Sequence, residues 1–159
     1  MPFNAQDFIN QTIDKSNSTV YVVCPEGDYN MMILTGDPAE WFKEVEIKNG
    51  QRAGEKMITV DIPLEVIDDG VRAKMGIEKV TTRYRLILDF DASGQLDFSE
   101  GKNVKLGKLR DALGQNDPGR PWNWTMLPGA GPFKGHVSQS SDKKNPEQKY
   151  SEVTSVTKA

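Results

Sequence analysis

The chain has 159 residues, 36% of them hydrophobic and 27% charged, with a formal net charge of −3. That is enough for one domain with a real core, while every apolar run is far too short to cross a bilayer as a helix. One cysteine, Cys24, excludes an internal disulfide and points to a reducing, cytoplasmic setting, and the opening Met-Pro-Phe-Asn-Ala-Gln-Asp lacks the regions of a signal peptide.

Residues 1–19 are polar apart from Phe3, Phe8 and Ile13 and read as an N-terminal arm with one short helix; residues 20–159 read as the domain. Val20-Tyr21-Val22-Val23-Cys24 is a β-branched run, Pro25 to Asp28 is turn chemistry, and Tyr29 to Leu34 is a second apolar run that could belong to the same bent strand. Gly36-Asp37-Pro38 breaks the chain, and Pro38 suits the first turn of a short helix through Glu40, Trp41 and Phe42. Asn49-Gly50 is a strong turn signal.

Met57 to Val66 is the clearest strand. Ile58, Val60, Ile62, Leu64 and Val66 alternate with Met57, Thr59, Asp61, Pro63 and Glu65, so one face is buried and the other is wet. Pro63 cannot donate to a ladder and predicts a bulge or an edge. Asp68 to Gly76 reads as a loop carrying Arg72 and Lys74. Arg83 to Phe90 is a second strand with Tyr84, Leu86, Leu88 and Phe90 on one face, and Ala92-Ser93-Gly94 reads as a hairpin turn into Gln95 to Phe98.

Lys102 to Gly114 is the one confident helix. Leu106, Leu109 and Leu113 form an apolar stripe, Asn103 suits the start and Gly114 the residue past the end. A loop rich in Gly, Pro and Trp follows, from Asn116 to Pro132. Phe133 to Gln139 and Tyr150 to Thr157 are the last strands, joined by the polar hairpin loop Ser140 to Glu147. Short strands with one helix between the third and fourth predict a mainly β chain, a five-stranded OB-type barrel. A small open sheet with the helix across it is the alternative.

Charge is uneven. Up to Gly101 there are 10 Lys and Arg against 18 Asp and Glu, giving −8; from Lys102 onward 10 against 5 give +5. A single-strand-binding surface needs cations for phosphates and flat rings for bases. The candidate cations are Arg83 and Arg85 on the wet face of a strand, with Lys56, Arg72, Lys74, Lys134, Lys143 and Lys144 extending the track. The candidate stacking rings are Trp41, Phe42, Trp122 and Trp124. The competing structural reading is that Trp122 and Trp124 pin their loop to the core, and that Arg83 and Arg85 pair with Asp61 and Glu65 across the sheet.

Three pieces together carry a family likeness: Pro25-Glu26-Gly27-Asp28-Tyr29 at the first strand, Lys105 to Gly114 at the helix, and Gly135-His136-Val137 followed by a charged hairpin and Tyr150 to Val156. The pattern, over about residues 20–157, resembles phage-type single-stranded-DNA-binding proteins of the OB fold. That resemblance implies a protein without a cofactor that coats single-stranded DNA in replication or recombination, with little sequence preference, in the host cytoplasm if phage-encoded. Replication or recombination proteins would be its further partners, with no membrane role, and a homo-oligomer stays open. Many such proteins carry an acidic C-terminal tail, whereas this chain finishes Val156-Thr157-Lys158-Ala159. The rival expectation is therefore a barrel that grips protein, as a virion or assembly component.

Asp89 to Glu100 also fits the twelve-residue calcium loop, with Asp89, Asp91, Ser93, Gln95, Asp97 and Glu100 as ligands and Gly94 at the sixth position. A strand-like segment precedes it where an entering helix belongs, so an ordinary turn is the preferred reading. His136 and Cys24 are the only residues of their types and form no zinc cluster. No serine has a nucleophile elbow and no glycine loop has a phosphate-binding end, so a non-enzyme is expected.

Overall fold

A computed structural model describes residues 2–17 and 23–159. The run Val20-Tyr21-Val22 lies outside the described residues; Val23 and Cys24, which follow it, are in no strand. In the arm, α1 (Ala5–Ile9) starts at Asn4, whose side chain accepts from the Asp7 N–H, and it buries none of its residues. β1 (Gly27–Ile33) leads to a 3-10 turn, Pro38–Trp41, capped by Asp37 with Pro38 at its first position. Then come β2 (Phe42–Glu46), β3 (Lys56–Val66), α2 (Asp69–Met75), β4 (Val80–Ile87), α3 (Val104–Ala112), a second 3-10 turn at Trp124–Met126, β5 (Phe133–Ser141) and β6 (Lys149–Lys158).

The fold is mainly β: one curled antiparallel sheet, a half-barrel in the order β2-β3-β1-β5-β6, with β4 on the other edge of β3. The long β3 organises it. Its first half pairs with β2 and its last residues with β1, while β4 runs along its opposite edge from Thr59 to Val66. Curling brings β6 beside β4 with no ladder between them; Thr82 Oγ1 lies 3.4 Å from Ser151 Oγ. This contact sets the start of β6 next to the start of β4.

Pro63 is neither bulge nor edge. It stays in register opposite Arg83, and its carbonyl accepts from the Leu34 N–H at 3.0 Å. Its nitrogen faces the same side, in the interval where β3 passes from β2 to β1 and no ladder bond is required of it.

The alternation of β3 predicts most of the core: Val60, Ile62, Leu64 and Val66 are buried opposite Leu86, Tyr84, Thr82 and Val80, whereas Ile58 is only half-buried and Thr59, on the face expected to be wet, is buried. Met31, Ile33, Phe133, Val137, Val153 and Val156 complete the inner layer. Gly135 must be glycine for space: a Cβ there would stand 2.6 Å from Met31 Sδ and 3.2 Å from Val153 Cγ1. On α3 the predicted stripe holds, with Leu106 and Leu109 buried and Leu113 packed against the core. Tyr84 reaches across to donate to the Lys105 carbonyl at 3.1 Å, and burial pushes its phenol up to about 12.

Four expectations change. Among the described residues there are three α-helices: the short one expected in the arm, the one expected among the strands, and a further one, α2. Residues 68–76 are not a loop: the Asp68 side chain accepts from the Val71 N–H, Val71 is buried, and Gly76 ends α2 at φ 69°. β2 is a strand that its polar sequence, Phe-Lys-Glu-Val-Glu, hides. The hairpin expected after Ala92 reduces to one bridge, Phe90 to Leu96.

Candidate nucleic-acid interface

The outer face of β2, β3 and β4 places Lys43, Thr59 and Ile87 in one row and Asp61 opposite Arg85 in the next. Arg85 grips Asp61 with both arms of its fork, Nε to Oδ1 at 2.7 Å and Nη2 to Oδ2 at 3.1 Å, and Arg83 Nη1 stands 3.8 Å from Oδ2. The hydrogen bond from Arg85 holds the Asp61 carboxyl below its ordinary range, aided by the charges of Arg85, Arg83 and Lys43. Asp61 thus faces three cations, with Glu152 a second carboxylate acting on Arg85, and one positive charge is left over. Asp61 is 16% exposed, but Arg83 and Arg85 are 39% and 42% exposed. The cross-strand pairing predicted for these arginines is real for Asp61, while Glu65 pairs instead with Arg72 at 3.6 Å.

Phe42 adjoins Lys43 in the chain and begins an aromatic ladder. Its ring meets Trp124 edge-on with centroids 5.0 Å apart, and Trp124 meets Trp122 at 5.2 Å. Arg110 of α3 covers the Trp122 ring at 4.5 Å, and Trp122 Nε1 donates to Gln115 Oε1 at 3.0 Å. Desolvation lowers the pKa of Arg110. All three rings pack against the core yet stay half-exposed. The loop tryptophans therefore pin their loop and still show part of their surface. Asn123, between them, is extended and caps the 3-10 turn that starts at Trp124, its side chain accepting from the Thr125 N–H.

Other predicted residues lie elsewhere. Trp41 is buried in the core, 7% exposed, and offers no stacking face. Arg72, on α2, is paired with Asp69 and Glu65, and Lys56 with Glu44 at 3.6 Å. Lys74 is exposed in the last turn of α2. Lys134 is exposed on the outer face of β5, opposite Asn30, two strands from β3. Lys143 and Lys144 are exposed in the loop between β5 and β6. The structure brings Arg83, Arg85 and Lys43 together on the outer face, sets Phe42, Trp122 and Trp124 on the opposite side of β2, and leaves the other cations dispersed.

The Asp89 to Glu100 segment spends its oxygens on itself. Asp91 Oδ1 accepts from Ser93 N, Ser93 Oγ and Gln95 N, and Asp97 Oδ1 accepts from the N–H and hydroxyl of Ser99. Asn103 ties the two ends: its Nδ2 donates to the Asp89 and Asp97 carbonyls, its Oδ1 accepts from Asp89 N, and its N–H donates to Asp89 Oδ2. Among the described residues no group of three or more His, Cys, Asp or Glu is placed to hold a metal ion.

Lys43 and Arg110 escaped the sequence reading. Lys43 becomes visible only once β2 is known to pair with β3, and nothing in the spacing of Arg110 and Trp122 announces their contact. Among the described residues no helix is long and apolar enough to cross a membrane. No family model matches the chain, and no curated protein matches it.

Proposed function

We propose that the chain binds single-stranded DNA on an OB-type barrel, with little sequence preference, in the manner of the phage-type proteins it resembles. The observation that carries this reading is the surplus of Lys43, Arg83 and Arg85 over the carboxylates of Asp61 and Glu152, on the outer face of β3 and β4. That face and the loops beside it are where OB folds take oligonucleotides. Arg83 keeps most of its donors unengaged for phosphate, and the half-exposed Phe42–Trp124–Trp122 ladder, on the other side of β2, would supply ring surface to a strand that turns over that edge, worth about 1–3 kcal/mol per stacked base.

Titration with oligo-dT, followed by tryptophan fluorescence, tests it. Quenching is expected, with log K falling against log salt at a slope of about −2 for three phosphate contacts. Unchanged fluorescence at low salt, together with no shift in a gel, would remove the proposal.

A second reading has its own support. Ile87, Phe90, Phe98 and Val104 are 56%, 45%, 80% and 48% exposed around the junction that Asn103 ties. A depression of about 590 Å³ beside them is lined by Met57, Ile58, Ile87 and Phe90 with Lys56 and Lys102. Grouped exposed apolar side chains mark protein-binding surfaces. An assembly or virion component would use this end of the molecule, and Phe98→Ser would abolish its partner binding while leaving oligo-dT binding intact.

A further inference from the structure

The sheet path ends in two strands of opposite character. At one end is β2, which among the described residues pairs only with β3 and carries exposed Glu44 and Glu46. At the other is β6, which among the described residues pairs only with β5 and finishes in exposed Thr157 and Lys158. Among the described residues, no backbone bond to another element leaves the far edge of 155–158. A groove of about 380 Å³ lies there instead, lined by Lys108, Asp111 and Ala112 of α3 and by Ser155 to Lys158. Unpaired strand edges are templates for a further strand, and proteins ordinarily guard them with charge.

The charges here guard selectively. Two β2 edges brought together would oppose glutamate to glutamate, and two β6 edges lysine to lysine, both unfavourable. A β2 edge against a β6 edge sets Glu44 and Glu46 against Lys108 and Lys158. The faces also agree. Glu44 and Glu46 share the side of Phe42, whose partner Val60 is buried; Lys158 lies opposite buried Phe133. A continuous sheet would therefore keep all of them on one side, whereas a one-residue slip would part them. Among the described residues Glu46, Lys108 and Lys158 have no ion-pair partner.

We propose that copies of this chain associate head to tail, β2 of one extending the sheet of the next along the 155–158 end of β6. Such a contact is heterologous and propagates into a chain of subunits instead of closing as a dimer. Four or five residues per strand make a small interface, so the association is weak and concentration-dependent. It needs no nucleic acid and stands or falls apart from the DNA reading.

Sedimentation equilibrium of the full chain at low salt is the test. The mass average should climb above the 17.7 kDa monomer without levelling at a dimer as concentration rises to the order of 1 mM, and should return to monomer in molar salt. Glu44→Lys with Glu46→Lys should leave a monomer, as should Lys108→Glu with Lys158→Glu, each with its Tm held. Mixing those two variants should restore the climb as an alternating chain, because each variant's β2 edge matches the other's β6 edge, and all four changes in one chain should restore it as well. A mass that stays monomeric for the native chain, a plateau at two subunits, or charge-swapped chains that fail to reassociate would overturn the proposal; failure of oligo-dT binding alone would not touch it. If one double variant loses its fold, Lys158→Glu alone serves in its place.

Discussion

The two loops that flank α3 are fastened by opposite means. The preceding loop is laced by polar groups: Asn103, at φ 52°, engages Asp89 and Asp97 through four hydrogen bonds. The following loop is held by rings, with Leu127 fully buried and Trp122 and Trp124 wedged between Phe42 and Arg110. Polar lacing leaves its own apolar residues, Phe90 and Phe98, in solvent. Ring packing spends apolar surface on the fold but keeps ring faces partly open. A loop held by directional bonds can offer its hydrophobes to a partner, whereas a loop held by hydrophobes offers only what packing leaves uncovered.

Substitution separates the two mechanisms, and the largest effect is expected at Asn103. Asn103→Ala removes three side-chain bonds and leaves a β-carbon residue in the left-handed region, where asparagine is tolerated better than alanine. A loss of about 2–4 kcal/mol in urea unfolding is expected. Asn103→Gly, which accepts the backbone angle, should recover about 1 kcal/mol of it. If alanine there is silent, the lacing does not hold the loop.

Trp124→Ala removes the middle of the ladder. A loss of about 2–3 kcal/mol is expected, along with a weakening of oligo-dT binding of about tenfold. Binding unaffected in a folded Trp124→Ala chain would confine the ladder to a structural role. Trp122→Phe keeps a ring but loses the donor to Gln115, for a smaller loss of about 0.5–1.5 kcal/mol.

Acid should act on the first loop alone. The Ser93 hydroxyl holds the Asp91 carboxyl below its ordinary range, and the Ser99 hydroxyl does the same for Asp97. A carboxylate whose folded pKa is depressed contributes stability fully present above its unfolded pKa, about 3.9, and lost as pH falls through the folded value. Amide exchange between pH 5 and 3 should therefore quicken across 91–99 and leave 122–127 unchanged relative to the intrinsic rate. The smallest expected effect is that of calcium. Because Asp91 and Asp97 are turned to their own serines, added calcium should leave Tm where it is, and a rise of several degrees would show that the loop can rewrap around an ion.

How much of this was legible follows from the range of the forces involved. The alternation of 57–66 and the leucine stripe of α3 are local patterns set by strand and helix periods, and each predicted its buried face. β2 was missed because an edge strand with one half-buried face has little reason to look apolar. Residues 68–76 read as a loop in the sequence, yet Asp68 caps a helix, an outcome that depends on Val71 finding a pocket. Within the candidate site, Arg83 and Arg85 were found from their face on β4. Trp41 was placed wrongly because its neighbours in the fold, not in the chain, decide whether an indole is covered.

Composition and periodicity alone determined a mainly β chain with a firm inner layer and a basic, leucine-striped helix, because burial rewards residues at intervals that the backbone dictates. Only the tertiary structure decided that Asp61 would sit among three cations, that Phe42 would meet Trp124 and through it Trp122, some eighty residues on, and that Asn103 would lace a loop instead of capping a helix. Those contacts join segments far apart in the chain, and their energies exist only after curling of the sheet has brought the side chains within a few ångströms.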